Sequence, residues 1–416
     1  MEYGCIGEHL GHSFSKEIHN ALADYSYELK ELSPEELKDF MLNKPFKAIN
    51  VTIPYKRDVI EYLDYISPEA AEINAVNTIV NKNGKLYGYN TDFFGLKALI
   101  DKQSVSLQGK TVAVLGSGGT SNTAFSVAQS MGAKSVIKVS REKRDGYVTY
   151  DELYDSYDNT QIIINTTPCG MFPNTGTSAV DVNKFPLLEA VFDAVYNPLC
   201  SRLVTDAREK GITAVGGLYM LVSQAAYAVE KFIDTPVDSI KVNEIFNNLF
   251  KDKMNVVLIG MAGCGKSTVG KALSQKLSKG FADTDTLIVE TTGEDIPSIF
   301  SSKGENVFRK IEKEVIYNVS KENNKIIATG GGAILNAENI RNLKGNGRVY
   351  FINRAIDSIV ATPDRPLSSN RQDLEKRFNE RYELYISCAD VVIDGNGTVE
   401  EVAKRIEEDY YGYTCN

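Results

Sequence analysis

The stretch VLGSGGTSNTAF, residues 114–125, decides how the first half of the chain is read. An apolar run beginning at Thr111 leads into Gly116, Gly118 and Gly119, and a helical pattern follows Ser121. Strand, glycine-rich turn and helix in that order are the parts of a dinucleotide site, where backbone N–H groups at a helix N-terminus meet the pyrophosphate. The spacing departs from G-x-G-x-x-G because Ser121 stands at the third glycine position. By itself the stretch fits either a nucleotide loop or a tight strand-to-helix connection. About twenty residues further on, after the run SVIKV, an NAD site carries Asp or Glu for the ribose hydroxyls. This chain has Ser140-Arg141-Glu142-Lys143-Arg144 instead. Guanidinium matches phosphate geometry, so Ser140, Arg141 and Arg144 favour the 2′-phosphate of NADP, with a solvated charge run as the plain alternative.

The same alternation recurs along the chain. QIIINTT, AVFDAVY, NVVLIG, KIIATGGG and RVYFI are short apolar runs, most followed by glycine and a helical pattern. They predict α/β units with parallel sheets covered on both faces. One of them opens a second phosphate loop. GMAGCGKS, residues 260–267, fits G-x-x-x-x-G-K-[ST] directly after NVVLI and before the helical STVGKALSQKL. In that context the backbone around Gly263 and Gly265 and the start of the helix (Lys266, Ser267, Thr268) hold a nucleotide triphosphate. Lys266 reaches the β- and γ-oxygens and Ser267 ligates Mg²⁺. The second half is therefore expected to bind ATP.

The chain has 416 residues, of which 43% are apolar and 24% charged, enough for two or three cored domains. Its net charge of −9 argues against nucleic acid or an anionic membrane as partner, leaving small-molecule substrates. Six cysteines without a C-x-x-C pair and only three histidines read as free thiols, not a zinc or dithiol site. No apolar run is long enough to span a bilayer and no signal-peptide pattern opens the chain, so a cytoplasmic location is expected. A boundary falls near residues 246–255, where a helical pattern ends in a short polar stretch before NVVLI. No Pro/Gly/Ser-rich linker separates the halves, which are either docked or joined by a short tether.

Further residues of the second half suggest what it phosphorylates. Asp283 and Asp285 are two apart at a strand end, one placed for Mg²⁺ and one for a substrate hydroxyl. Arg309 and Glu312 share a helix face at i, i+3, a pair that alone reads as a solvated salt bridge. Gly330-Gly331-Gly332 lets backbone approach a compact ligand, and Arg381 follows in RYELY. With the P-loop and Arg365-Pro366-Leu367, these resemble the shikimate kinase family over residues 255–410. The resemblance implies that Asp285, Arg309, Gly331 and Arg381 hold shikimate, with Asp285 as base. It also implies that Asp283 joins Ser267 at Mg²⁺ and that Arg365, on a lid, neutralises the transferring phosphoryl. The lid segment, 358–370, is short and lacks the arginine usual before R-P-L.

The first hundred residues carry hydroxyls (Ser13, Ser15), the run N-V-T-x-P-x-K ending at Lys56, Asn77, and N-T-D ending at Asp92. Each alone is an ordinary surface lysine, cap or turn residue. In order with N-T-T-P-x-G-M, D-x-V-Y-x-P and G-x-x-M-L-x-x-Q-A, they resemble the shikimate dehydrogenase family over residues 3–233. That family commonly has no glycine where Ser121 stands, while Lys16 replaces its usual proline. The resemblance implies a substrate site lined by Ser13, Ser15, Thr52, Asn77, Tyr196 and Gln224, with Lys56 and Asp92 at the reacting centre and Gly217 on the NADP side. The expected architecture is an α/β, two-lobed dehydrogenase followed by a P-loop kinase domain with a parallel sheet and a lid, residues 254–416. The substrate lobe is expected at 1–99 plus 216–250, and a Rossmann lobe at 100–215. The expected function is NADPH reduction of 3-dehydroshikimate followed by ATP-dependent phosphorylation of shikimate. An NAD-dependent quinate/shikimate dehydrogenase, or a kinase-like half impaired in catalysis, is the alternative.

Overall fold

The computed structural model describes residues 1–10, 14–359 and 371–414. Three sheets follow one another along the chain. The first contains β1 (Tyr3–Gly7), β2 (Tyr27–Glu31), β3 (Ala48–Val51), β4 (Tyr65–Ile66), β5 (Thr78–Lys82) and β6 (Lys85–Tyr89) in the order β2-β1-β3-β5-β6-β4. It is mixed: β1 runs parallel to β2 and β3, while β3, β5 and β6 are antiparallel. The cause is local. Asn83 and Gly84, at φ 54° and 84°, form the two-residue turn whose twist suits a hairpin, so β5 returns at once as β6.

The second sheet has β7 (Thr111–Leu115), β8 (Ser135–Val139), β9 (Ile162–Asn165), β10 (Ala190–Asp193) and β11 (Thr213–Val215), all parallel, in the order β11-β10-β9-β7-β8. Both parities of β7 are buried, Val112 and Val114 in one cluster and Ala113 and Leu115 in another. Helices therefore cover both faces, and the run carries no polar alternation. The order reverses between β7 and β9, which opens a crevice at their carboxyl ends. The helix after β7 spans Gly119–Ser130 with Gly118 as N-cap, three residues earlier than the pattern after Ser121 predicts.

The third sheet is also parallel: β12 (Asn255–Ile259), β13 (Gly280–Asp283), β14 (Lys325–Ala328), β15 (Gly347–Asn353) and β16 (Val391–Asp394), in the order β13-β14-β12-β15-β16. The P-loop leaves the central strand β12 and enters the helix Lys266–Leu277.

The halves are docked without a tether. The helix Ser239–Lys253 ends one residue before β12, and that residue, Met254, is 2% exposed. Phe246, Leu249 and Phe250 carry one apolar cluster from Leu218 and Val222 into Val257 and Leu258. Lys279, 4% exposed, locks the joint. Its ammonium donates to the carbonyls of Lys251, Asp252 and Met254 and to Asn324 Oδ1 at 2.9–3.0 Å, satisfying acceptors at a buried helix end. Among the described residues, no helix is long and apolar enough to cross a membrane.

Candidate active sites

Two cavities meet in the first half. One, of about 430 Å³, is lined by Ser15, Thr52, Asn77, Asp92, Tyr196 and Gln224. The other, of about 890 Å³, is lined by Gly116, Ser117, Gly118, Gly119, Ser140 and Arg141. Lys56 and Thr120 border both. Lys56 follows β3 and is held by its carbonyl, which accepts from Val76 N at 2.8 Å. Asp92 lies in the first turn of the helix Thr91–Lys102, capped by Asn90, whose Oδ1 accepts from Phe93 N at 3.2 Å. The two ends bring Lys56 Nζ to 2.6 Å from Asp92 Oδ2, with side chains 16% and 13% exposed. Partial burial makes this contact stronger than a surface pair and keeps the ammonium aimed.

A buried polar network sets the wall behind that pair. Asn77 Oδ1 accepts from Thr91 N at 2.7 Å, Thr78 Oγ1 at 3.0 Å and Thr91 Oγ1 at 3.2 Å. Asn50 donates to Asn77 O at 3.2 Å and accepts from the Tyr27 hydroxyl at 2.7 Å. Thr91 Oγ1 also lies 3.4 Å from Gln224 Oε1, a second acceptor for the same proton. Sequence reading named Asn77 and Gln224 but missed Asn50, Thr91 and Thr120. The available signal for Asn50 was an amide inside the apolar strand AINV, where only a partnered polar group is tolerated. Ser13 lies outside the described residues. Gly217 lines the smaller cavity, which shares Lys56 and Thr120 with the glycine-loop cavity. A Cβ on Gly217 would come within 2.3 Å of Ala194 O, so its role is close backbone packing.

The glycine loop explains Ser121. Its side chain is fully buried and donates to Gly116 O at 2.6 Å, tying the loop to the helix where a third glycine would only pack closely. Gly116 needs φ 119°, and a Cβ there would lie 2.6 Å from Thr166 Oγ1 on the β9 side of the crevice. Gly118 is different: its φ is −86°, and a Cβ on Gly118 or Gly119 would meet no atom within 4 Å. The fold therefore does not require glycine at either position, and the room they leave fits a dinucleotide pyrophosphate. Arg144 Nη1 donates to Ser117 Oγ at 3.2 Å, which brings the basic cluster over the loop. Ser140, buried, has its hydroxyl on the Glu142 carbonyl and shapes that turn.

In the second half, Lys266 Nζ donates to Gly260 O and Met261 O, both at 2.9 Å, and Gly263 and Gly265 take φ 84° and 102°. Ser267 Oγ is 2.5 Å from Asp283 Oδ2, the hydroxyl and carboxylate chemistry that suits Mg²⁺. Thr268 is exposed on the first turn of the same helix. Asp283 also caps the helix Thr284–Thr292 through Asp285 N at 3.0 Å, so one residue sets both the oxygen pair and the next carboxylate.

Around Asp285 the remaining predicted residues converge. A Cβ on Gly330 would lie 2.6 Å from Asp285 Oδ1 and 3.2 Å from Glu312 Oε1. Arg309 donates to Glu312 Oε2 at 2.8 Å and to Glu305 Oε1 at 2.9 Å. Glu312 is 2% exposed, and burial holds its carboxyl above the usual range despite Arg309 beside it. The pair is therefore no solvated salt bridge, because the helix face it shares turns inward. Arg381 Nη1 and the Tyr385 hydroxyl donate to Gly331 O at 3.2 and 2.6 Å. Tyr385, stacked on Phe351 at 4.9 Å, had no assigned role in the sequence. Arg365 and most of the lid lie outside the described residues.

A lysine–carboxylate pair between a glycine-loop cavity and a polar cleft, joined to a P-loop domain, defines a two-lobed dehydrogenase fused to a small-molecule kinase. The chain belongs to the shikimate dehydrogenase family and carries a shikimate kinase domain in its second half. The family model for the shikimate dehydrogenase substrate binding domain matches residues 5–79, and the shikimate kinase model matches residues 262–410. A shikimate dehydrogenase (NADP(+)) of Clostridium perfringens strain 13 is 38% identical over 269 residues, 59% of this chain and 97% of that one. Shikimate dehydrogenase 1 of Peptoclostridium difficile aligns with TM-score 0.55 and 34% identity over 60% of this chain and 98% of that one. The Thermus thermophilus shikimate 5-dehydrogenase, solved with NADP(H) and shikimate, aligns with TM-score 0.54 and 26% identity over 60% and 99%.

Proposed function

We propose that residues 1–250 reduce 3-dehydroshikimate to shikimate with NADPH, and that residues 254–416 phosphorylate shikimate to shikimate 3-phosphate with ATP. The substrate lobe of the dehydrogenase would be residues 1–99 plus 216–250, and its cofactor lobe 100–215. The observation that carries the first reaction is the Lys56–Asp92 pair, set at 2.6 Å with Lys56 on the border of both cavities. NADPH, when bound over the glycine loop, supplies the hydride. Lys56 donates a proton from Nζ to the alkoxide oxygen that forms at the reduced carbonyl, and Asp92 keeps that ammonium in place and takes a neighbouring hydroxyl. Arg144 beside Ser117, with Arg141 on the cavity wall, supports NADP over NAD.

In the kinase half, Asp285 accepts the proton of the attacking hydroxyl, while Arg309 and Arg381 pair with the ring carboxylate. Lys266 turns from its loop carbonyls to the phosphates of ATP, and Ser267 and Asp283 would hold Mg²⁺, which screens charge on the transferring group. The presence of Lys266, Ser267, Asp283 and Asp285 in one place supports a working kinase over an impaired one. One coupled assay tests both reactions: 3-dehydroshikimate, NADPH and MgATP, with products identified by mass. Shikimate 3-phosphate is expected. Shikimate alone would remove the kinase step, and turnover of quinate with NAD in preference would replace the dehydrogenase assignment.

A further inference from the structure

The smaller cavity takes Tyr196 from a short segment, residues 194–201, that is pinned at both ends. At its start the fully buried Asp193 accepts from Val195 N and Asn165 Nδ2, each at 2.9 Å, from within the dehydrogenase half. At its far end the Ser201 hydroxyl donates back to Asp193 Oδ2, and the remaining partners come from the kinase half. Leu199 N donates to Asn346 Oδ1 at 2.9 Å, Cys200 N donates to Gly345 O at 2.8 Å, and Asn323 Nδ2 reaches Asn197 Oδ1 at 3.4 Å. Asn197 O in turn accepts from Phe172 N at 2.9 Å, so a second cavity-lining residue hangs on the same segment.

Asn346 is the firmest of these partners. It ends the helix Ala337–Asn346, is 2% exposed, and its amide group donates to Ser320 O at 3.2 Å. The kinase half thus fixes the orientation of the oxygen that receives Leu199 N–H. A buried N–H left without its acceptor drives the backbone to rearrange, and only two residues separate Leu199 from Tyr196. The Clostridium perfringens relative matches the N-terminal part of this chain over 97% of its own length and has nothing aligned with Asn346.

We infer that Asn346 is a positioning residue for shikimate binding in the dehydrogenase cleft: the kinase domain supplies part of the scaffold that holds Tyr196 against the substrate. This rests on the reading of that cleft as a shikimate site. The test uses the full chain with Asn346→Ala, and Arg341→Gln as control. The control cuts the cross-half Arg341–Glu209 ion pair, 3.0 Å long, and removes none of the hydrogen bonds named above for residues 194–201. In shikimate oxidation, Asn346→Ala raises KM for shikimate about tenfold, with kcat within about twofold and KM for NADP⁺ unchanged. Arg341→Gln leaves all three constants as they were. If Asn346→Ala fails to fold, Asn346→Ser, whose hydroxyl is too short to serve both sides, takes its place. An unchanged KM, or an equal rise in Arg341→Gln, overturns the inference. Amide exchange of residues 194–201 reads the same claim without turnover: it speeds up in Asn346→Ala, and unchanged exchange overturns it. A wild-type chain that cannot oxidise shikimate refutes the functional reading alone, and exchange then decides this one.

Discussion

Replacing Lys56 by methionine separates proton transfer from substrate binding. Methionine keeps much of the side-chain volume, so the cleft does not collapse. Two things are lost. The first is the proton donor to the new hydroxyl, a general-acid contribution of about 10²–10⁴ in rate, or roughly 3–5 kcal/mol of barrier. The second is the partner of Asp92, 2.6 Å away in a wall where that side chain is 13% exposed. An unpaired carboxylate there costs about 1–3 kcal/mol, but it weighs on the free enzyme and the complex alike. The first loss therefore falls on kcat and the second on stability. Shikimate oxidation followed by nicotinamide absorbance should show kcat down by at least about 10², while shikimate binding measured by calorimetry weakens by less than about tenfold. Shikimate kinase turnover in the same sample should be unchanged, which shows that the chain is folded. A kcat within about tenfold of wild type would remove Lys56 from the chemistry.

Three further outcomes follow from the same geometry. Gly118→Val should leave the melting temperature within a degree or two, because its Cβ meets nothing and its φ is −86°, yet raise KM for NADPH more than about tenfold. A large stability loss would mean that the glycine serves the fold. Asp193→Asn tests a pH window, since burial pushes that carboxyl up from 3.8 to about 6. The folded state then holds a proton that the unfolded state has released. Wild-type stability falls as pH rises from about 4 to 6, by roughly 3 kcal/mol, and stays lower above it. Denaturant unfolding at pH 4 and 7 should show that fall in wild type and not in the variant. Lys279→Met removes an ammonium from four acceptors at the domain joint and should cost about 3 kcal/mol or more in thermal unfolding. A neutral result would show that the joint rests on its apolar cluster alone.

Several features were legible because their physics is local. A P-loop needs glycines at positive φ and a lysine at the helix start, and those residues are adjacent in the chain. The two parallel sheets were legible because both parities of each run are apolar. The mixed first sheet was not read, although Asn83-Gly84 signals the hairpin that creates it. That Glu312 turns inward was not legible from its i, i+3 spacing to Arg309, because such a pair shows only that two side chains share a face, not which way the face turns.

Sequence alone determined the two classes of site: a glycine loop with a basic cluster downstream, and a P-loop followed by paired carboxylates. Each is a short spacing of residues whose backbone geometry is set within one strand-to-helix connection. Tertiary structure alone decided that Lys56 Nζ comes within 2.6 Å of Asp92, that Lys56 borders two cavities, and that Asn346 of the kinase half accepts from the segment bearing Tyr196. Those relations join residues 36 and 147 positions apart. No local preference encodes such a distance. It is set when apolar clusters pack and each buried N–H must find an acceptor.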